Sequence, residues 1–127
     1  MKYGFSKQVN LSFDQTLERV TDELKKEGFG VLTTIDVQDT LKKKIDVDFK
    51  RYTILGACNP PFAYQALLAE EDIGLLLPCN VIVHEKEGKT EVAAFDPMVM
   101  TKIVGNEKMV VVAKEVQQRL QRVIEKV

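Results

Sequence analysis

The sequence predicts an α+β domain of two layers, a mainly antiparallel sheet with helices packed on one of its faces. Three observations carry this expectation. Five short runs are rich in β-branched residues and bounded by turn residues, and two of them are joined by a tight turn at Gly88. Two long segments each show one apolar stripe at helical spacing, so each has a single face to bury. The order strand, helix, strand, helix, strand, helix, hairpin, helix is satisfied most economically by a helical layer over an antiparallel sheet.

Tyr3 to Val9 reads as the first strand. The first helix starts at Ser12, with Gln15 three residues on completing a capping box. Phe13, Leu17, Val20 and Leu24 form its apolar stripe, and Gly28 caps its end. Phe29 to Ile35 is the second strand, after which Asp36 caps a short helix holding Leu41 and Ile45. The lysines between those two, Lys42 to Lys44, suit the C-terminal end of a helix dipole. Arg51 to Cys58 is the third strand. Asn59 then stands as a cap before Pro60 and Pro61 at the first helical positions. The helix from Pro60 to Ala69 is apolar on most sides, which predicts good cover. An apolar turn through Pro78 leads into the strand Cys79 to Glu85. Lys86 to Lys89 turns the chain and Thr90 to Phe95 returns. Asp96 and Pro97 open a short helix that Gly105 ends. Asn106 caps the last helix, whose stripe is Met109, Val112, Val116, Leu120, Val123 and Val127. Val110, Val111 and Ile124 extend apolar surface beyond that stripe.

The chain has 127 residues with 45% hydrophobic and 29% charged, which suits a single domain over residues 1–127 with a core of its own. Net charge is −1, so nothing in the balance points to a polyanion, and no tryptophan and 7% aromatics supply a base-stacking platform poorly. The expected partners therefore exclude nucleic acid. No apolar run approaches the ~18 residues of a membrane span, and the start lacks an apolar signal segment. A cytoplasmic location with no membrane partner is the expectation.

Candidate chemistry is sparse. The two cysteines each head an asparagine, Cys58-Asn59 and Cys79-Asn80, at strand ends beside prolines. Their spacing fits neither a zinc site nor a Cys-x-x-Cys redox motif, and no metal is expected. The repeated dipeptide suggests that the two corners meet at one end of the sheet and share an environment. His84, the single histidine, falls by strand alternation on the face opposite Cys79, Val81 and Val83, where it should meet solvent. Asn59 caps a helix whose start could also hold an anion, although Pro60 and Pro61 remove two donors. Asp96 is a cap first. No glycine-rich phosphate loop, nucleophile elbow or His-Glu-x-x-His is present. By themselves the residues reveal no reaction, ligand or cofactor.

Three stretches carry a resemblance: Tyr52-Thr53-Ile54-Leu55-Gly56-Ala57-Cys58-Asn59-Pro60, then Ile73-Gly74-Leu75-Leu76-Leu77-Pro78-Cys79-Asn80-Val81, then Phe95-Asp96-Pro97. In order and spacing the chain resembles domain-of-unknown-function family 302 over nearly its whole length. The resemblance implies a compact domain of the TATA-binding-protein-like class, a small cytosolic protein, and no established activity. Some similar proteins are associated with sulfur metabolism, which draws attention to the thiols. Pro61 and Phe62 depart from the smaller residues usual there and would narrow a pocket at the helix start.

The expected function is a small-ligand binding module, with a site at the two corners formed by Cys58, Asn59, Cys79, Asn80 and Asp96. A thiol-dependent enzyme or sulfur carrier using Cys58 or Cys79 is an alternative, and so is a dimeric interaction protein. A homodimer is expected in either case. The second face of the sheet needs protection, and two-fold pairing is the commonest way to supply it.

Overall fold

A computed structural model describes residues Met1 to Val127. Five strands, β1 (Gly4–Val9), β2 (Gly30–Asp36), β3 (Tyr52–Cys58), β4 (Cys79–Lys86) and β5 (Lys89–Phe95), form one antiparallel sheet in the order β1-β5-β4-β3-β2. The helices are α1 (Phe13–Lys26), α2 (Val37–Ile45), α3 (Pro60–Ala69), α4 (Met98–Val104) and α5 (Glu107–Lys126), with a 3₁₀ turn over Glu71–Leu76. The α+β layer architecture is the predicted one.

Local chemistry explains most boundaries. Ser12 and Gln15 make both halves of the capping box, Gln15 N–H donating to Ser12 Oγ and Ser12 N–H to Gln15 Oε1, each at 3.1 Å. Gly28 beyond the helix takes φ 88°, a conformation only glycine adopts freely. Asp36 accepts from Asp39 N–H at the start of α2, and Asn106 accepts from Lys108 N–H at the start of α5. Glu87 and Gly88 both have positive φ, as a two-residue hairpin turn requires.

α1 and α5 cover one face of the sheet. Val81, Val83, Val92, Leu55 and Ala57 point into this layer and meet Phe13, Val20 and Leu24 from α1, with Val116, Leu120 and Val123 from α5. Leu17 is only half-buried, and Thr16 takes the inward position, its hydroxyl donating to the Ser12 carbonyl at 2.8 Å. Ile124 joins the core instead of adding exposed surface, while Val110 and Val111 stay exposed.

Two regions stay partly open to solvent, the second sheet face as expected and α3 against expectation. On the second sheet face, Ile35, Ile54, Ile82 and Ala93 are successive cross-strand partners, of which Ile35 is exposed, Ile54 and Ile82 are half-buried and Ala93 is buried. α3 is not enclosed either. Only Ala66 is buried, whereas Tyr64, Leu67 and Leu68 are exposed, because α5 and the 3₁₀ turn cover α3 on part of its circumference only. The chain exposes 7726 Å², and size scaling gives ~6,800 Å² for a compact monomer of this length. No helix is long and apolar enough to cross a membrane.

Candidate functional site

The register of β3 and β4 pairs Ala57 with Cys79, so Cys58 lies one step diagonally from Cys79. With strands about 4.8 Å apart and a rise of about 3.4 Å, the two Cα atoms are about 6 Å apart. Both cysteines are free. They share the wall of one cavity of about 310 Å³, lined by 18 residues of which 15 are hydrophobic. The sheet ends supply Phe29, Ala57, Leu77 and Pro78, α3 supplies Phe62, Ala63 and Ala66, and α5 supplies Met109, Ala113 and Val116. Small side chains hold this space open. Ala57, Ala63, Ala66 and Ala113 give only methyl groups to its wall, where larger side chains would occupy it.

Wall residues that are also exposed mark the mouth. Leu32 and Leu67, 66% and 42% exposed, place it between β2 and α3. A register shift between Val31 and Thr33 skips Leu32, and such a bulge re-aims a side chain. Next to Ala57 in β3, Gly56 permits close approach of its neighbours. A Cβ there would meet Thr33 Oγ1 and lie 2.9 Å from Pro78 Cγ.

Asn59 lines the cavity, but it caps no helix. Its Nδ2 donates to the Glu27 carbonyl at 3.1 Å, and Arg119 Nη1 donates to the same oxygen at 2.9 Å. A carbonyl freed at the end of α1 thus gathers one donor from α3 and one from α5. Pro60 and Pro61 had already removed N–H groups that a capping oxygen would seek, so the amide is used in a tertiary bond instead. Arg119 also stacks over Phe62, 5.0 Å from its centroid, and pairs with Glu115 at 3.0 Å.

The other two expected site residues stand outside this cavity wall. Asn80 is exposed and lines a separate shallow depression with Leu75, Leu76 and Phe95. Asp96 stands one residue before Pro97, which occupies the N-cap of α4, so it makes an Asx turn in place of the predicted cap. Its Oδ1 accepts from Met98 N–H at 2.9 Å and from Gln117 Nε2 at 3.0 Å, tying the start of α4 to α5. Cys58, Asn59 and Cys79 are therefore brought together, and Asn80 and Asp96 are not. Phe62, expected to narrow a pocket at the helix start, does line it, and the residues that the sequence reading missed are the alanines, Phe29, Leu32, Met100 and Met109. Their only signal in the sequence is the concentration of small and sulfur-bearing side chains between Ala57 and Ala113.

The thiols are poorly placed for nucleophilic work. Burial pushes Cys79 up to about 11, with the neighbouring Cys58 adding to the effect, and burial also raises Cys58. No base serves them, since His84 pairs with Tyr52, six residues along β3 from Cys58 and roughly 20 Å away at about 3.4 Å per residue. There His84 is largely covered rather than solvated. Its ring is 5.0 Å from that of Tyr52, Lys50 Nζ donates to Nδ1 at 3.1 Å, and Nε2 is 3.8 Å from Glu91 Oε2. Burial and the two lysines, Lys50 first, lower its pKa against the opposing pull of Glu91. No group of three or more metal-ligating His, Cys, Asp or Glu side chains is assembled anywhere in the chain.

The family model for the domain of unknown function DUF302 matches residues 5–127. The chain is also similar to a solved structure described as an uncharacterized conserved protein DUF302 from Bacillus stearothermophilus. The two share 28% identity at a TM-score of 0.93, over 99% of this chain and 98% of that one. That likeness carries the layer architecture and does not bear on the narrower TATA-binding-protein comparison. No curated protein matches this chain.

Proposed function

The chain belongs to the DUF302 family, and we propose that it is a binding module that takes up a small molecule in the cavity beside Cys58 and Cys79. The observation that carries this reading is the size of the cavity, about 310 Å³, set against its apolar wall. The cavity opens to solvent, and its apolar wall left against water costs about 25 cal/mol for each Å² that a guest would cover. A domain with only ~5–15 kcal/mol of net stability does not keep such a space cheaply. A guest that covers the wall removes that cost. The volume also sits at the lower edge of small-molecule sites, roughly 300–1,000 Å³.

The thiol-enzyme and sulfur-carrier readings are less well supported, because both thiols are held protonated and no base faces them. Native mass spectrometry of protein purified from its own host tests the proposal. The expected spectrum shows one non-covalent organic adduct per chain, absent from an Ala113→Leu variant. A bare chain from host and recombinant sources alike would count against it.

A specific observation also favours self-association. The exposed surface exceeds the size-scaling value by roughly 900 Å², close to the ~800 Å² per partner of a standard interface. The partly open row Ile35, Ile54 and Ile82 is where a second copy would sit. Sedimentation should show a dimer that Ile82→Lys dissociates. A monomer at high micromolar concentration would remove this reading.

A further inference from the structure

We infer that the guest of this cavity is a neutral apolar molecule of roughly ten to twelve non-hydrogen atoms, entering between β2 and α3. This inference rests on the binding-module reading above and specifies its ligand class.

The wall argues for neutrality. No Asp, Glu, Lys, Arg or His belongs to it. Its one amide, Asn59, already spends Nδ2 on the Glu27 carbonyl. The guanidinium of Arg119 lies against Phe62 outside the wall and is held there by Glu27 and Glu115. A charged guest would lose its hydration and find no counter-charge, which is prohibitive in an apolar site. A guest rich in hydrogen-bonding groups would leave most of them unpaired.

The wall also argues for shape tolerance. Cys58, Cys79, Met100 and Met109 belong to the wall together with Phe29 and Phe62. Methionine is flexible and polarisable and adapts to irregular apolar partners. The size estimate follows from volume, because an apolar cavity of about 150 Å³ holds benzene and this one is about twice that. The entrance is apolar as well. α3, Pro60–Ala69, carries no charged residue and exposes Leu67, which shares the wall with Leu32. A route for a polar solute would be expected to show hydrogen-bonding groups there.

Naphthalene and adenine test the assignment, being of nearly equal size and opposite polarity. Each is titrated into the ligand-free protein and into the Ala113→Leu and Ala66→Leu variants, with circular dichroism confirming that each variant is folded. Naphthalene should bind at least about tenfold more tightly than adenine, and its affinity should fall by about tenfold or more in whichever filled variant folds. If adenine binds the wild type as well and loses affinity in the filled variants, the apolar class is overturned while the cavity reading stands. Naphthalene binding unchanged in the folded variants places the guest elsewhere and overturns both. No binding of either molecule overturns the class, and the mass spectrum then decides the cavity reading alone.

Discussion

Replacing Ala113 by Leu asks whether the space at the cysteine corner is real, because filling a void and overfilling a packed core change stability in opposite directions. Ala113 is 1% exposed, sits on the inner stripe of α5 and lines the cavity. Leucine adds three carbons, each stabilising by about 0.8 kcal/mol when buried. Ordering the longer side chain offsets roughly 0.5–1 kcal/mol of that gain. The expected net effect is a stabilisation of about 1–2 kcal/mol in the ligand-free protein. Urea denaturation reads it as a higher midpoint at unchanged slope. Ala94 supplies the contrast, since it is equally buried in the sheet core but lines no part of the cavity. Ala94→Leu should cost about 1–3 kcal/mol by overpacking. An Ala113→Leu variant destabilised as much as Ala94→Leu would refute the reasoning.

Asn59→Ala should cost about 1–2 kcal/mol, because the Glu27 carbonyl keeps only Arg119 as donor. Asn59→Asp should cost more, since a carboxylate cannot donate there, whereas a helix cap would tolerate it; equal stability of Asn59→Asp and wild type contradicts the tertiary role. With Cys79 raised to about 11, alkylation at neutral pH should be much slower than for free cysteine, Cys58 being the faster of the two, and rapid labelling of Cys79 in folded protein would contradict its burial. The same shift favours the folded thiol, so its contribution is complete below about 9 and fades as pH rises toward about 11. For His84 the sign is opposite. The fold disfavours its charged form, so stability should decline as pH falls through the ordinary histidine value of 6.5, and His84→Gln should flatten that slope in thermal melts. A slope unchanged by the substitution would assign it to other groups.

The fold was legible where one local rule governs one element. Ser12 and Gln15 announced α1, Gly28 its end, and Gly88 the hairpin, because capping and turn chemistry depend on neighbours in sequence. Asn59 was misread because the Glu27 carbonyl that captures its amide is distant in sequence and reaches it only through packing. α3 was misread for a related reason. Uniform apolarity says that a helix seeks cover, and here α5 and the 3₁₀ turn supply it over part of the helix only. His84 was placed on the correct face, but its cover by Tyr52 and Lys50 depends on register with β3. The meeting of Cys58 and Cys79 followed from the repeated dipeptide. The cavity around them did not, since it arises from alanines on separate elements sharing one wall. The bulge at Leu32, which opens the mouth, leaves no mark in the run Phe29 to Ile35.

The most direct measurement of the central claim, that the cysteine corner surrounds an accessible apolar space, is diffraction from a crystal pressurised with xenon. Xenon enters apolar cavities and avoids both packed cores and polar clefts. Density is expected among Ala66, Met109 and Cys79, with little movement of their side chains on uptake, and it should disappear in Ala113→Leu. Side chains closed over this volume, with xenon absent there or bound only elsewhere, would contradict the account.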